Sequence, residues 1–269
     1  MPAGEHGGIP GKTGGMTMTG IKDRIHKSNE PLGGYICLIP SAVVTQAFAA
    51  AGADWLVVDQ EHAPIGIETL HAMVAATAGT NCSPWVRVPK RDEAFVKPAL
   101  DAGAEGIMFP LVRTAEEAAE CVDLTTYPPK GHRGWGPFVA HSRWNVEMMD
   151  YLPNRGGETV CGLLIETRAA VDNIEEICKV EGIDYMIIAT FDLSTELGVS
   201  GQFDSPVLVE AIRHAENAIL KSGIALGASA LTKEQAQANR SRGHRLLVYG
   251  FDIVMLKQHA RQAATWVTE

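Results

Sequence analysis

TVCGLLIETRAAVDNIEEICKVEGIDYMIIATFDLSTELG, residues 159–198, decides the fold. It opens on an apolar run, breaks at Glu166-Thr167-Arg168, and continues with Val171, Ile174 and Ile177 at helical spacing before a second apolar run begins at Tyr185. Neither run shows the in/out alternation of a half-exposed strand. Continuous apolar character is what a parallel strand shows when helices cover both faces of its sheet. Each run is followed by a carboxylate, Glu166 after the first and Asp192 after the second.

The same rhythm extends outward in both directions. Apolar runs occur at GGYICLI from residue 33, WLVVD from 55, PWVRV from 84, GIMFP from 106, TVCGLLIET from 159, YMIIAT from 185, IALGAS from 224 and RLLVYG from 245. Between them lie helical stretches such as SAVVTQAFAAAG, IETLHAMVAATAG and SPVLVEAIRHAENAILKSG, several of which stop at Gly. Eight strand–helix units predict an α/β protein closed into one (β/α)8 TIM barrel, with an open doubly wound sheet as the alternative. Residues 1–20, rich in Gly, Thr and Pro without periodicity, read as a flexible N-terminal extension, and 21–269 as the barrel. The GKT at 11–13 is not a phosphate-binding loop, because His6 stands where that motif needs Gly and no strand precedes it.

The 269 residues are 46% hydrophobic and carry a net charge of −9, which opposes a nucleic-acid groove. The sequence has no run of eighteen apolar residues and its start lacks the apolar stretch of a secretory signal, so no membrane association and a cytoplasmic location are expected. Five cysteines, widely spaced and without a C-x-x-C pair, read as buried free thiols.

In a barrel of this kind the chemistry gathers where the strands end. There the sequence supplies Asp59, Glu61 and His62 after the second run, Arg87 in the third, Glu166 after the fifth and Asp192 after the sixth. Two carboxylates at the ends of adjacent strands can share a hard divalent cation and leave coordination positions open for substrate. Each can equally cap the helix that follows it, and on the residues alone both readings stand. His62 has the pKa of a proton shuttle, or is a surface histidine satisfied by its neighbours. Arg87, a guanidinium in an apolar strand, needs an anion to meet. Asp101 orients a histidine or is a solvated helix-end carboxylate. The insert YPPKGHRGWGPFVAHSRWNVEMMDYLPNRGGE at 127–158 is long enough to be functional.

Taken together, VDQEHAP, VRVP, LDAGAEGIMFP, YPPKGHRGWG, LLIETRAAVDNIEEI, VEGID and DLSTELG resemble the HpcH/HpaI family of class II 2-oxo acid aldolases, in order and spacing from about residue 30 to 265. The resemblance implies a TIM barrel of the phosphoenolpyruvate/pyruvate-binding type, assembled as a homo-oligomer, a hexamer or trimer. It implies a lyase akin to 4-hydroxy-2-oxoheptanedioate and 2-dehydro-3-deoxyglucarate aldolases, using Mg2+, Mn2+ or Co2+ to cleave 4-hydroxy-2-oxo acids to pyruvate and an aldehyde. Glu166 and Asp192 then match the metal ligands, His62 the acid/base histidine, and Arg87 the arginine that holds pyruvate. Asp59 and Asp101 match carboxylates that position the histidine or its water, Asp101 by reaching a neighbouring subunit's site.

Leu164 departs from the family's usual Gln, and Ala189-Thr190-Phe191 from its Gly-Pro-Ala, so Leu164, Thr190, Phe191 and Asp192 are expected to shape substrate binding. Tyr249 and Phe251 are bulkier than expected and point to a smaller or more apolar acceptor. Oxaloacetate decarboxylation by the same enolate-stabilising site, or a non-catalytic barrel that binds a 2-oxo acid, are the alternatives.

Overall fold

The computed structural model describes residues 20–267. In chain order these form α1 (Ile21–Lys27), β1 (Leu32–Cys37), α2 (Ala42–Ala50), β2 (Trp55–Asp59), α3 (Ile67–Ala75), β3 (Ser83–Arg87), α4 (Glu93–Asp101), β4 (Gly106–Phe109) and α5 (Ala115–Thr125). The insert carries α6 (Ala140–Arg143), a 3-10 turn at Met148–Asp150 and α7 (Tyr151–Arg155). Then come β5 (Val160–Ile165), α8 (Arg168–Asp172), α9 (Ile174–Ile177), β6 (Tyr185–Ile188), α10 (Thr190–Glu196), α11 (Pro206–Ser222), β7 (Ala225–Ser229), α12 (Lys233–Ser241), β8 (Leu246–Phe251) and α13 (Asp252–Thr265). All eight strands pair in parallel with their sequence neighbours, and β8 closes on β1. The open-sheet alternative is thereby excluded. The proposed extension and the GKT segment lie outside the described residues, apart from Gly20.

Two apolar cores follow from the strand pattern. Alternate residues of each strand face either the ring of helices or the barrel interior. The outer core takes Leu56, Val58, Val86, Ile107, Leu163, Ile165, Met186 and Ile188 against the helices. The inner core takes Trp55, Val57, Trp85, Met108, Leu164, Tyr185 and Ile187. Within it the rings of Trp55, Trp85 and Tyr185 stack in series, with centroids 4.8 Å apart at each step. Space for this slab comes from glycines on neighbouring strands: a Cβ on Gly34 would strike the Trp55 ring, and one on Gly162 the Tyr185 ring.

Helix α1, which the hydrophobic pattern did not disclose, closes the barrel below the slab by burying Ile21 and Ile25. Lys22 and His26 clamp it to the buried Asp184 at 3.2 and 2.7 Å. The insert lies at this same end, because it joins the C-terminus of α5 to the start of β5. Arg133 reaches Thr159 at 2.8 Å, Arg143 reaches Thr77 at 2.5 Å, and Arg155 pairs with Glu105 at 2.7 Å. Within one chain the insert thus packs at the floor of the barrel and does not line the carboxyl ends of the strands.

Helix α13 is 14 residues long, yet Asp252 alone among its residues is buried. Ile253 and Leu256 are 47% and 60% exposed. Asp252 anchors its first turn by accepting from the backbone of Leu38 and Ile39 at 2.9–3.0 Å.

The aromatic slab generates a stability prediction. Gly162→Ala forces a methyl group onto Tyr185, an overpacking change that typically costs about 1–3 kcal/mol. Thermal denaturation is expected to show Tm lowered by roughly 5 °C, given about 2–4 °C per kcal/mol for a chain of this size.

Candidate active site at the carboxyl ends of the strands

Asp59 and Arg87 are paired in register as the last residues of β2 and β3, so parallel pairing itself brings them together. Asp59 is fully buried, and Arg87 donates to it from Nε at 2.9 Å and from Nη2 at 2.5 Å. This two-pronged fork meets the demand that a buried guanidinium be neutralised. The Asp59 Oδ1 also accepts from the backbone N–H of Glu61 at 2.9 Å and of His62 at 3.3 Å. Asp59 therefore positions His62 through the main chain and not through its imidazole.

The imidazole partner is Glu61, whose Oε2 lies 3.5 Å from His62 Nε2 and 3.4 Å from Arg87 Nη1. That oxygen is buried and makes no hydrogen bond within normal limits. Sequence reading noted Glu61 beside His62 and gave it no role. The missing signal was spatial: the turn built on Asp59 swings Glu61 toward Arg87.

Glu166 follows β5 directly and is 5% exposed. It does not cap α8, because Thr167 does so by accepting from Ala170 N–H at 3.1 Å. Glu166 Oε1 instead accepts from the backbone N–H of Leu111 at 2.6 Å. Leu111 has φ +55°, a left-handed conformation costly for leucine, and that strain aims its N–H at the carboxylate. Asp192 lies in the first turn of α10, a helix with no side-chain cap. Neither carboxylate is a helix cap, which removes that alternative for both.

Burial pushes the Glu166 carboxyl above the usual carboxylate range; the Leu111 N–H pulls it down, Glu61 and Asp192 push it up, and Arg87 draws it down again. Glu61 is raised too, first by burial, against the attraction of Arg87 and with repulsion from Asp59 and Asp192. Among the described residues, Arg87 is the cation that acts on both Glu61 and Glu166, against repulsion from Asp192 and between the two. Such a surplus of hard oxygen donors fits a divalent cation. Among the described residues no three His, Cys, Asp or Glu side chains are arranged to hold a metal, so an ion held by Glu166 and Asp192 would keep open positions.

A cavity of about 260 Å3 opens beside these groups, with Arg87, His62 and Asp192 on its wall and Leu164, Ile187 and Val248 deeper in. Phe191 and Phe251 also border it. From the segment after β6 the wall takes Ala189, Phe191 and Asp192 but not Thr190, so the Thr190 hydroxyl does not form the expected floor. Tyr249 is likewise displaced from the expected pocket. It faces the outside of the barrel beside Gly33 and edge-on to Tyr35, at 6.1 Å between ring centroids.

Asp101 is not brought to the mouth of its own chain. As the last residue of α4 it lies near the strand starts, beneath the insert, where a Cβ on Gly136 would come 3.0 Å from its Oδ2. Its Oδ1 is buried without a hydrogen-bond partner. Burial pushes this carboxyl up, while Arg133 and Lys97 draw it down.

A closed parallel barrel whose strand ends gather acid/base, guanidinium and hard-oxygen groups has the make-up of a TIM-barrel enzyme. Residues 37–259 match the HpcH/HpaI aldolase/citrate lyase family, and the chain belongs to that family. It is 36% identical over 226 residues to a hydroxypyruvate/pyruvate aldolase of Roseovarius nubinhibens, covering 84% of this chain and 88% of the relative. It is 35% identical over 240 residues to a 4-hydroxy-2-oxo-heptane-1,7-dioate aldolase of Escherichia coli, covering 88% of this chain and 91% of the relative. Among solved structures, a family member from Burkholderia cenocepacia superposes with a TM-score of 0.86 at 32% identity, covering 93% of this chain and 99% of that one.

The charge surplus predicts a pH-dependent stability difference. A carboxyl raised on folding destabilises the folded state as pH climbs past its unfolded value, and the penalty is absent below that value. In metal-free protein Glu166→Gln, which can still accept from Leu111, is expected to raise Tm by a few degrees at pH 8. The gain should vanish at pH values below the ordinary carboxylate range, as scanning calorimetry at the two pH values would show.

Proposed function

We propose that the chain is a divalent-metal-dependent class II aldolase that cleaves 4-hydroxy-2-oxo acids reversibly to pyruvate, or a related 2-oxo acid, and an aldehyde. The observation that carries this is the convergence of Arg87, His62 and Asp192 on one cavity, with Glu166 and Glu61 in the electrostatic field of Asp192 and Arg87. Glu166 and Asp192 would hold the metal, with Mg2+, Mn2+ and Co2+ as candidates, and when bound it supplies Lewis-acid stabilisation of charge on the 2-oxo oxygen.

The protein's own groups account for the rest. Arg87 has two of its nitrogens fixed on Asp59, so its Nη1 edge is held rigidly for the substrate carboxylate or the enolate oxygen. In cleavage the C3–C4 bond breaks, its electron pair moves toward the 2-oxo group to give the enolate, the C4 hydroxyl proton leaves toward His62, and C3 then takes up a proton from water to complete pyruvate. Glu61, 3.5 Å from His62 Nε2, stabilises the imidazolium that results. In synthesis the same proton returns to the nascent alkoxide. Asp59 keeps His62 and Arg87 in register throughout.

The chain is further proposed to work as a homo-oligomer, a hexamer or trimer, in which Asp101 reaches a neighbouring subunit's mouth. The unburied apolar side of α13 and the unpartnered Asp101 Oδ1 support assembly. A cytoplasmic location accords with five free cysteines, four of them buried. Residues 21–269 act in this view as one barrel behind an N-terminal extension.

Pyruvate release from 4-hydroxy-2-oxo acids is expected to stop after EDTA treatment and to return with Mg2+, Mn2+ or Co2+. Glu166→Ala should abolish it under every metal; release that survives in that variant refutes the assignment. Leu256→Glu is expected to lower the oligomeric mass in analytical ultracentrifugation and the activity together, and an active monomer would overturn the role given to Asp101 across subunits.

A further inference from the structure

The cavity wall is mostly apolar. Its charged members, Arg87, His62 and Asp192, lie where the 2-oxo acid end would sit. Apart from Ser229 the rest of the wall is hydrocarbon: Leu164 and Ile187 are 3% and 4% exposed, and Val248 and Phe251 line it with them. At the rim Phe191 and Phe203 meet edge to face, with ring centroids 5.1 Å apart, and are 51% and 46% exposed. Among the described residues the cavity wall holds no lysine and no arginine besides Arg87, which is already committed to Asp59 and approached by Glu61.

A substrate with one carboxylate can place it at Arg87. A second carboxylate farther along the chain would lie on an apolar wall or face Asp192, in either case without a cation on the cavity wall besides Arg87. Leaving an ionised carboxylate unpaired in such a setting is strongly unfavourable. An alkyl tail has the opposite fit, since it buries against Leu164, Val248 and Phe251 and continues past the Phe191–Phe203 pair.

We propose that this site selects aldehydes without a charged group, so that its 4-hydroxy-2-oxo acid substrates are monocarboxylates with an apolar tail, with Leu164, Phe251 and Phe191 setting that preference. The inference rests on the aldolase reading above. It differs in this respect from the dicarboxylate named for the Escherichia coli relative.

The test compares two substrates of equal length, 4-hydroxy-2-oxoheptanoate and 4-hydroxy-2-oxoheptanedioate, in metal-loaded enzyme. The expected kcat/KM ratio favours the monocarboxylate by about 100-fold, the order at which a binding site rejects a group it leaves unpaired. Phe191→Arg, at an exposed position that the fold tolerates, is expected to shift the ratio toward the dicarboxylate by about tenfold at low salt, and the shift should shrink in high salt. Equal or preferential cleavage of the dicarboxylate by the unaltered enzyme overturns the inference and leaves the aldolase reading intact. Cleavage of neither compound under any metal removes the aldolase reading and this inference with it.

Discussion

The fork between Asp59 and Arg87 is the contact on which the catalytic mouth depends. A carboxylate with no solvent exposure is tolerated only when fully paired, and Arg87 supplies two of its hydrogen bonds while the backbone of Glu61 and His62 supplies two more. The same pair therefore fixes the strand ends, the turn after β2, the backbone that carries His62 and the remaining Nη1 edge of the guanidinium, which faces Glu61. With Arg87 consumed in this way, Glu61, Glu166 and Asp192 are left short of positive charge. A divalent cation held by Glu166 and Asp192, as proposed, would offset that shortage.

The two ends of the barrel carry different duties. Below, the Trp55–Trp85–Tyr185 slab, α1 and the insert close the interior, so the fold's rigidity comes from packing that takes no part in chemistry. Above, the slab gives way to Leu164, Ile187 and Val248, and these side chains can vary without disturbing the layer beneath. Such a division lets one frame serve several aldehydes. Relatives of similar identity bear the names of a hydroxypyruvate/pyruvate aldolase and a heptanedioate aldolase, consistent with a constant frame and a variable wall.

Asp101 and α13 pose the same question from opposite sides of the molecule. One is a carboxylate with a buried oxygen and no partner, the other a helix with almost no buried residue. Both are costly in an isolated chain, since an orphaned buried acceptor and an exposed apolar face each lose the compensation that folding normally provides. An assembly that covers both would relieve the two costs at once.

The sequence by itself determined eight parallel strand–helix units, because continuous apolar runs separated by helical stretches are a local signal of strands covered on both faces. An open doubly wound sheet covers its strands in the same way, so closure of β8 on β1 was decided by the tertiary structure and was only the first expectation of the sequence. The sequence also determined which residues stand at the strand ends, since Asp59, Arg87 and Glu166 terminate or directly follow runs visible in the text. Only the tertiary structure decided how those residues face one another. That Thr167 rather than Glu166 caps α8, that Glu61 partners His62, that Tyr249 points outward and that Asp101 lies at the far end all depend on pleat direction, turn geometry and helix polarity. These are set by contacts between residues distant in sequence, and for that reason no local pattern discloses them.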